Sequence, residues 1–526
     1  MAAPSLAQAR HRIRGLDYQW KALIVVVVGS FMVMLDMTIV NIALPDIITF
    51  FQAPVRSAQF VLTGYMLAIA VIMPAAGYLT DTFGTKRIYL FSVGAFTIGS
   101  MLCGLSWNVP SLIAFRVIQG LGGGMLMPLG MTILFKVVPR DQIGKITGLF
   151  GLPMVLGPVI GPTLGGYMVE YVDWRLIFTI NIPVGATAIL LGLAWLRETD
   201  IVANQHFDWR GFVLSGSGFA AVLYGFTYAP SDGWGAPHIV ALLGGGLVLL
   251  TLWVAVELTE QQPLLEMRVF KNTTFALATG VNFIITLGMF SSLFLLPLFL
   301  ENFKGIGALE TGLIMFPQAL ASGVMVPISG QLFDRVGPRP LIVTGLLILA
   351  YSTYRLAFLD LTTDANTIRD LLIVRGLAMG LITMPAMTVA MNTLPSHLIA
   401  RGSALTNVLR QVFGAFGTAS FATILSSRTT YHMAMLSQTM TPDVPSVQMT
   451  LAGIQQFVVA HGYTLQQARA AGVMMLYRQV ASAAAVRAFD NCFMIAGLFC
   501  LVGIVPALLL RTKGSVARAA GPRVVE

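Results

Sequence analysis

The sequence predicts an all-α integral membrane protein of fourteen transmembrane helices, built as two six-helix bundles with two further helices inserted between them. Three observations lead there. Charged residues make up 10% of the 526-residue chain and apolar ones 56%, against about 25% charged in soluble domains, and the mean hydropathy is +0.79. So little polar surface excludes a soluble globular protein and a disordered one. Second, about fourteen runs reach the roughly 20 apolar residues that span a bilayer. Third, the chain repeats itself about halfway along, and repeated halves around a midplane site are the architecture of secondary transporters.

In chain order, the first run, 22–45, follows Arg10, Arg12, Arg14 and Lys21 and closes at Pro45-Asp46. It is full length and carries Asp36, so it reads as a retained helix rather than a cleaved leader. Runs 57–80, 88–106, 110–135, 145–170 and 176–196 complete the first six, separated by basic or Pro/Gly-rich breaks. Runs 211–229 and 238–257 form the inserted pair. The second six are 273–300, 309–333, 340–358, 368–392, 402–426 and 490–511. The organisation is therefore residues 1–200, 201–262 and 263–526, with a long extracytoplasmic loop at 427–489 whose second part, 447–486, is rich in Ala, Gln, Leu and Met and can be helical.

Orientation follows from the short loops. Twenty of the 32 basic residues fall on the side of the termini and four (Arg56, Arg175, Lys304 and Arg369) in short loops on the other. Basic residues collect on the cytoplasmic side, so both termini are expected in the cytoplasm and the net charge of +9 is topological, not a nucleic-acid footprint. Cys103, Cys492 and Cys500 lie in apolar runs and imply no disulfide framework.

The repeat is specific. Gly77-Tyr-Leu79-Thr-Asp81-Thr-Phe-Gly84, followed by Lys86 and Arg87, recurs 253 residues later as Gly330-Gln-Leu332-Phe-Asp334-Arg335-Val-Gly337, followed by Arg339. Gln119-Gly120-Leu121 is echoed by Arg375-Gly376-Leu377, each with a Met-Pro pair downstream, and Pro45 by Pro297.

Five motifs, the first copy of the repeat among them, stand in order: Leu35-Asp36-Met-Thr-Ile-Val-Asn41-Ile-Ala-Leu-Pro45; Gly77 to Arg87; Arg116-Val-Ile-Gln119-Gly-Leu-Gly122; Gly157-Pro158-Val-Ile-Gly161-Pro162-Thr-Leu-Gly165-Gly166; and Trp174-Arg-Leu-Ile-Phe-Thr-Ile-Asn-Ile-Pro183. On these the chain resembles the major facilitator superfamily, and within it the fourteen-helix drug:proton antiporters. The loop motif departs from the family's pattern where Thr82 and Thr85 replace the usual basic residues.

An ionised carboxylate in mid-membrane costs roughly 2.5–3.5 kcal/mol on insertion scales, so Asp36 is a functional candidate by position alone. It is read as the proton carrier, a fixed tie to an arginine being the other reading. Arg116 cannot deprotonate and can discharge a carboxylate; snorkelling to the headgroups is its other reading. Asn41, Gln119, Arg375, Asn407, Arg410 and Gln411 are candidate linings of a substrate cavity. The resemblance implies a cytoplasmic latch at Asp81 with Lys86 and Arg87, Asp334 and Arg335 as its counterpart, and a close-packing face at Gly157, Gly161 and Gly165 with bends at Pro158 and Pro162.

No P-loop, H-E-x-x-H, C-x-x-C or G-x-S-x-G run occurs, which argues against ATP hydrolysis and the commoner hydrolytic or metal chemistries. Coupling must then come from an ion gradient, and the resemblance implies protons as the coupling ion, with no other cofactor. The expected function is proton-coupled efflux of lipophilic or amphiphilic compounds by alternating access in the cell (inner) membrane. A dedicated exporter of one metabolite or fatty-acid-like compound is the alternative, and an intramembrane enzyme or receptor a remote one. The lipid bilayer and small lipophilic molecules are the expected partners. In a two-membrane host the resemblance adds a periplasmic adaptor and an outer-membrane channel docked at 427–489; a cap over the outer mouth is the other reading of that segment.

Overall fold

The computed structural model describes residues 17–510 apart from 140–141, 200, 202–205, 361, 396–397, 440–444 and 462–463, and among the described residues it is helical without strands. The first half comprises α1 (Tyr18–Phe51), α2 (Val55–Ile72), a 3-10 turn (Met73–Ala75) leading into α3 (Ala76–Phe83), α4 (Thr85–Gly104), α5 (Val109–Val137), α6 (Ile143–Phe150), α7 (Leu152–Tyr171), α8 (Leu176–Thr179) and α9 (Asn181–Trp195). The inserted pair is α10 (Trp209–Asp232) and α11 (Pro237–Thr259). The second half comprises α12 (Thr273–Asn302), α13 (Ala308–Val336), α14 (Pro338–Leu356), α15 (Ala365–Asn392), α16 (Ile399–Thr439), α17 (Pro445–Ala460), α18 (Leu465–Val502) and α19 (Ile504–Leu509).

Helices stand at all fourteen expected positions, and among the described residues twelve are long and apolar enough to cross a membrane. The other two positions differ for visible reasons. Residues 145–170 form α6 and α7 with a break at Gly151, and several side chains of α7 lie outside the described residues, while α14 carries Arg339 and Arg355 near its ends. Within 427–489 the helix expected over 447–486 is present as α17 and the start of α18, while the expected end of the preceding helix at 426 and the start of the last at 490 are corrections. No breaker follows residue 426, so α16 runs on to Thr439, and α18 begins at Leu465, well before 490. A Thr464/Gln467 capping box sets that start. The two extensions pack on each other with α17 against α18, and His432 Nε2 lies 2.9 Å from Asn491 Oδ1.

Glycine contacts repeat between the halves. A Cβ on Gly120 would meet Tyr65 O and Ala68 Cβ, and on Gly376 the equivalents Gln318 O and Ala321 Cβ. Gly124 abuts Ile69 as Gly380 abuts Ser322. Small residues let the α2/α5 and α13/α15 backbones approach in the same way. α10 packs on α11, and also on α2 of one half and α16 of the other.

The two faces of the molecule differ. Where α1 begins, the N-terminal face, the halves are in contact: Gly148 of α6 lies against Val326 O and Gly330 of α13, and the Thr147 and Thr388 hydroxyls are 3.2 Å apart. At the opposite face a cavity of about 470 Å³ lies between α1, α7 and α13, lined by Ile42, Asp46, Val169, Glu170, Glu310 and Leu313 among others.

Candidate functional site

Four helices of the first half each bring a polar residue to one buried point. Asp36, from mid-α1, is 0% exposed. From α5, Arg116 Nη1 donates to Asp36 Oδ2 at 2.5 Å and Gln119 Nε2 to Oδ1 at 2.8 Å. From the first turn of α9, Asn181 Nδ2 donates to Asp36 Oδ1 at 3.1 Å and reaches the Ser100 hydroxyl of α4 at 3.0 Å. Ser100 in turn donates to the Phe178 carbonyl.

Arg116, 1% exposed, spends its other contacts nearby. Its Nε donates to the Val61 carbonyl at 3.2 Å, its Nη1 also to Gln119 Oε1 at 2.8 Å, and its guanidinium carbon lies 3.9 Å from the centre of the Tyr65 ring. This burial overturns the snorkelling reading of Arg116. The carboxylate's charge is matched by one guanidinium and two amide donors, Gln119 of α5 and Asn181 of α9, as a buried ion pair requires. Such charge-assisted bonds are strong and directional. The arrangement can exchange a proton only with movement: neutralising Asp36 would strand Arg116 in a dry interior, unless the guanidinium leans on Gln119, Val61 O and the Tyr65 ring.

The glycine face of α7 serves this point. Gly157 lies against Met34, Gly161 against Thr38 and Gly165 against Ile39, so α7 presses on the stretch of α1 centred on Asp36, and Thr38 Oγ1 donates to Gly157 O at 3.2 Å. The side chains of Pro158 and Pro162 lie outside the described residues.

Gln119, expected along a substrate path, is instead fully buried in the Asp36 cluster. Arg375 is also fully buried and donates to the Thr353 hydroxyl of α14 and the Gly288 carbonyl of α12. By the repeat, Gly288, Thr353 and Arg375 stand where Asp36, Ser100 and Gln119 stand in the first half. The second half thus has the same junction with a carbonyl in place of the carboxylate. Asn407 is buried and accepts from Arg410 at 2.8 Å; Gln411 is half-buried one turn on, and Asn41 is exposed and bonds the Met37 carbonyl of its own helix.

At the N-terminal face Asp81 of α3 lies 3.8 Å from Arg401 Nη2 of α16, across the two halves. The expected neighbours Lys86 and Arg87 are engaged elsewhere. The Glu198 carboxylate accepts their backbone N–H groups at 3.0 and 3.3 Å, sitting at the positive end of α4, and Arg87 Nε is 3.7 Å from it. Arg335 is exposed, and the Asp334 side chain lies outside the described residues.

Sequence reasoning missed Asn181, Ser100, Tyr65, Glu198 and Arg401 as site members. Asn181 left a signal as the sole amide side chain in an otherwise apolar run. Arg401, one of the twenty basic residues on the side of the termini, carries no further signal in the sequence.

Known proteins share this organisation. An uncharacterised MFS-type transporter of Bacillus subtilis, YhcA, is 35% identical over 490 residues, covering 93% of this chain and 92% of its own. A Mycobacterium tuberculosis protein named multidrug resistance protein B homolog is 36% identical over 407 residues, 76% of this chain and 75% of its own. Among solved structures, the human organic anion transporter MFSD10 superposes with a TM-score of 0.61 at 12% identity, covering 94% of this chain and 100% of that one, a likeness of fold. The family model that matches residues 26–418 is that of the Major Facilitator Superfamily. With its paired halves, its buried charges and these relatives, the chain belongs to the major facilitator superfamily of membrane transporters.

Proposed function

We propose that this protein is a proton-coupled multidrug exporter, a drug:proton antiporter that moves lipophilic and amphiphilic compounds out of the cytoplasm by alternating access. The N-terminal face is the cytoplasmic one and the membrane is the cell (inner) membrane. The observation that carries the reading is the Asp36 cluster: a carboxylate sealed in mid-membrane, paired with a permanent cation that has other acceptors within reach. A proton arriving from outside neutralises Asp36 and frees Arg116 to lean on Gln119 and Val61 O; α1 and α7, packed glycine to backbone, then shift together. Release to the cytoplasm restores the ion pair.

Each proton crossing 100 mV supplies about 2.3 kcal/mol, and each pH unit about 1.4 kcal/mol more. Together these sustain a concentration ratio of several hundredfold. A resistance-named relative at 36% identity supports a drug substrate. The closed N-terminal face and the cavity opposite fit an outward-facing state. The test is substrate-induced proton release from purified protein in liposomes, screened over cationic, neutral and anionic compounds. Asp36→Asn should release none; proton release equal to that of the native protein would sink the reading.

A further inference from the structure

Arg401 stands where all three parts of the molecule meet. It belongs to α16 of the second half, pairs loosely with Asp81 of the first half at 3.8 Å, and presses its Cγ on Gly77, where a Cβ would lie 2.8 Å away. Its Nε is buried and has no hydrogen-bond partner. On the inserted pair, two carboxylates with no mechanism yet assigned stand close to this junction: Phe207, next to Asp208, packs on Tyr78, next to Gly77, with ring centres 4.9 Å apart, and α10 packs on α16. Glu257, near the end of α11 and 0% exposed, accepts from Trp253 Nε1 at 2.9 Å and from the Leu265 backbone N–H, and it feels the fields of Asp208 and Arg401. Asp208 caps α10 through the Gly211 N–H at 2.8 Å, leaving its Oδ2 buried without a partner.

Gly211 is what permits the approach of these two acids, since a Cβ there would lie 2.1 Å from Asp208 Oδ2 and 3.0 Å from Glu257 Oε1. The other nearby cation, Arg268, is turned to Glu266 and to the Leu258 and Glu260 carbonyls. Two buried acids on the insert therefore stand beside the junction held by one guanidinium, and that guanidinium is also half of one contact closing the N-terminal face.

We infer that the inserted helix pair regulates the latch through Glu257: its charge competes with Asp81 for Arg401 and offers the guanidinium a counter-charge once the halves separate. Ionised Glu257 weakens closure of the N-terminal face; neutral Glu257 leaves Arg401 to Asp81 and strengthens it. The inference rests on the alternating-access reading above, and it gives the two helices beyond the paired bundles a task in that cycle.

The test is a distance measurement between spin labels at Phe83→Cys and Val336→Cys, equivalent exposed positions of the two halves at this face. The native cysteines are all buried. Glu257→Gln keeps the shape and can still accept from Trp253 and Leu265; it should raise the closed-to-open ratio about two- to fivefold, the scale of a weakly coupled charge pair. Glu257→Asp, which keeps the charge, should move it much less. In an Arg401→Gln background the Glu257→Gln effect should vanish, because the coupling runs through that side chain. Two populations whose ratio ignores Glu257, or a Gln effect that survives without Arg401, would overturn the inference while leaving alternating access standing. One unchanging distance in every variant, with and without substrate, would overturn both.

Discussion

Asp36 and Arg116 lie close enough that neither can change alone. Replacing Asp36 with Asn keeps a carbonyl for Arg116 but removes the countercharge, and breaking a buried pair costs about 3–5 kcal/mol. The expected variant is folded, melts at lower temperature in a thermal-shift assay, and shows no proton-coupled export. Asn181 acts through orientation: Asn181→Ala removes donors to Asp36 and Ser100 and should cost about 1–3 kcal/mol. It should also move the pH midpoint of transport while leaving apparent substrate affinity nearly unchanged; a lost affinity with a fixed midpoint would contradict that role. The charged pair was legible because charges in apolar runs are rare and expensive. Asn181 and Ser100 were not, since uncharged polar residues are tolerated in membrane helices and only the fold shows which of them converge.

Among the helices, α7 is held tightly against α1 by its glycines. At Gly161 a Cβ would stand 2.2 Å from Thr38 Oγ1, so Gly161→Val must push α7 off α1 at the level of Asp36. A cost of about 1–3 kcal/mol follows from overpacking, with transport falling further than stability because the displaced contact is the one flanking the carboxylate. Purified yield and thermal stability set against liposome transport would separate the two. The glycine spacing announced a close-packed face, but its partner was invisible in sequence: it proves to be α1 of the same half, while α7 also packs on α13 across the molecule. Helix existence was readable throughout because length and apolarity fix it. Helix ends were not where a helix outlasts its apolar stretch, as α16 and α18 do; falling hydropathy at 427 marks an exit from lipid and not the end of a helix.

For the molecule as a whole, the Asp81–Arg401 pair is one of several contacts that close the N-terminal face. Asp81→Asn should shift the population toward opening at the N-terminal face and raise labelling of a reporter cysteine placed between the halves. Exchanging the pair, Asp81→Arg with Arg401→Asp, should recover closure only in part, because Glu257 would then face a carboxylate. Full recovery would argue that the insert exerts no field there. The internal repeat was plain in the sequence and reappears in matched glycine contacts, yet the repeat could not name Arg401 as the partner of Asp81. The equivalent position in the first half is Gly148, so this ion pair belongs to one side of the pseudo-symmetric molecule and leaves no echo.

The helical extensions of the second half have a practical bearing as well. At 1.5 Å per residue the 41 residues of α16 reach about 60 Å, roughly twice a bilayer's hydrocarbon thickness. Beyond the fall in hydropathy at 427, the last 13 residues of α16 extend about 20 Å of paired helix clear of lipid or detergent. For a protein of 56.6 kDa otherwise hidden in a featureless micelle, that rod is a built-in fiducial: electron micrographs of single particles can be aligned on it, and antibody fragments raised against it would enlarge the target without touching the transport path.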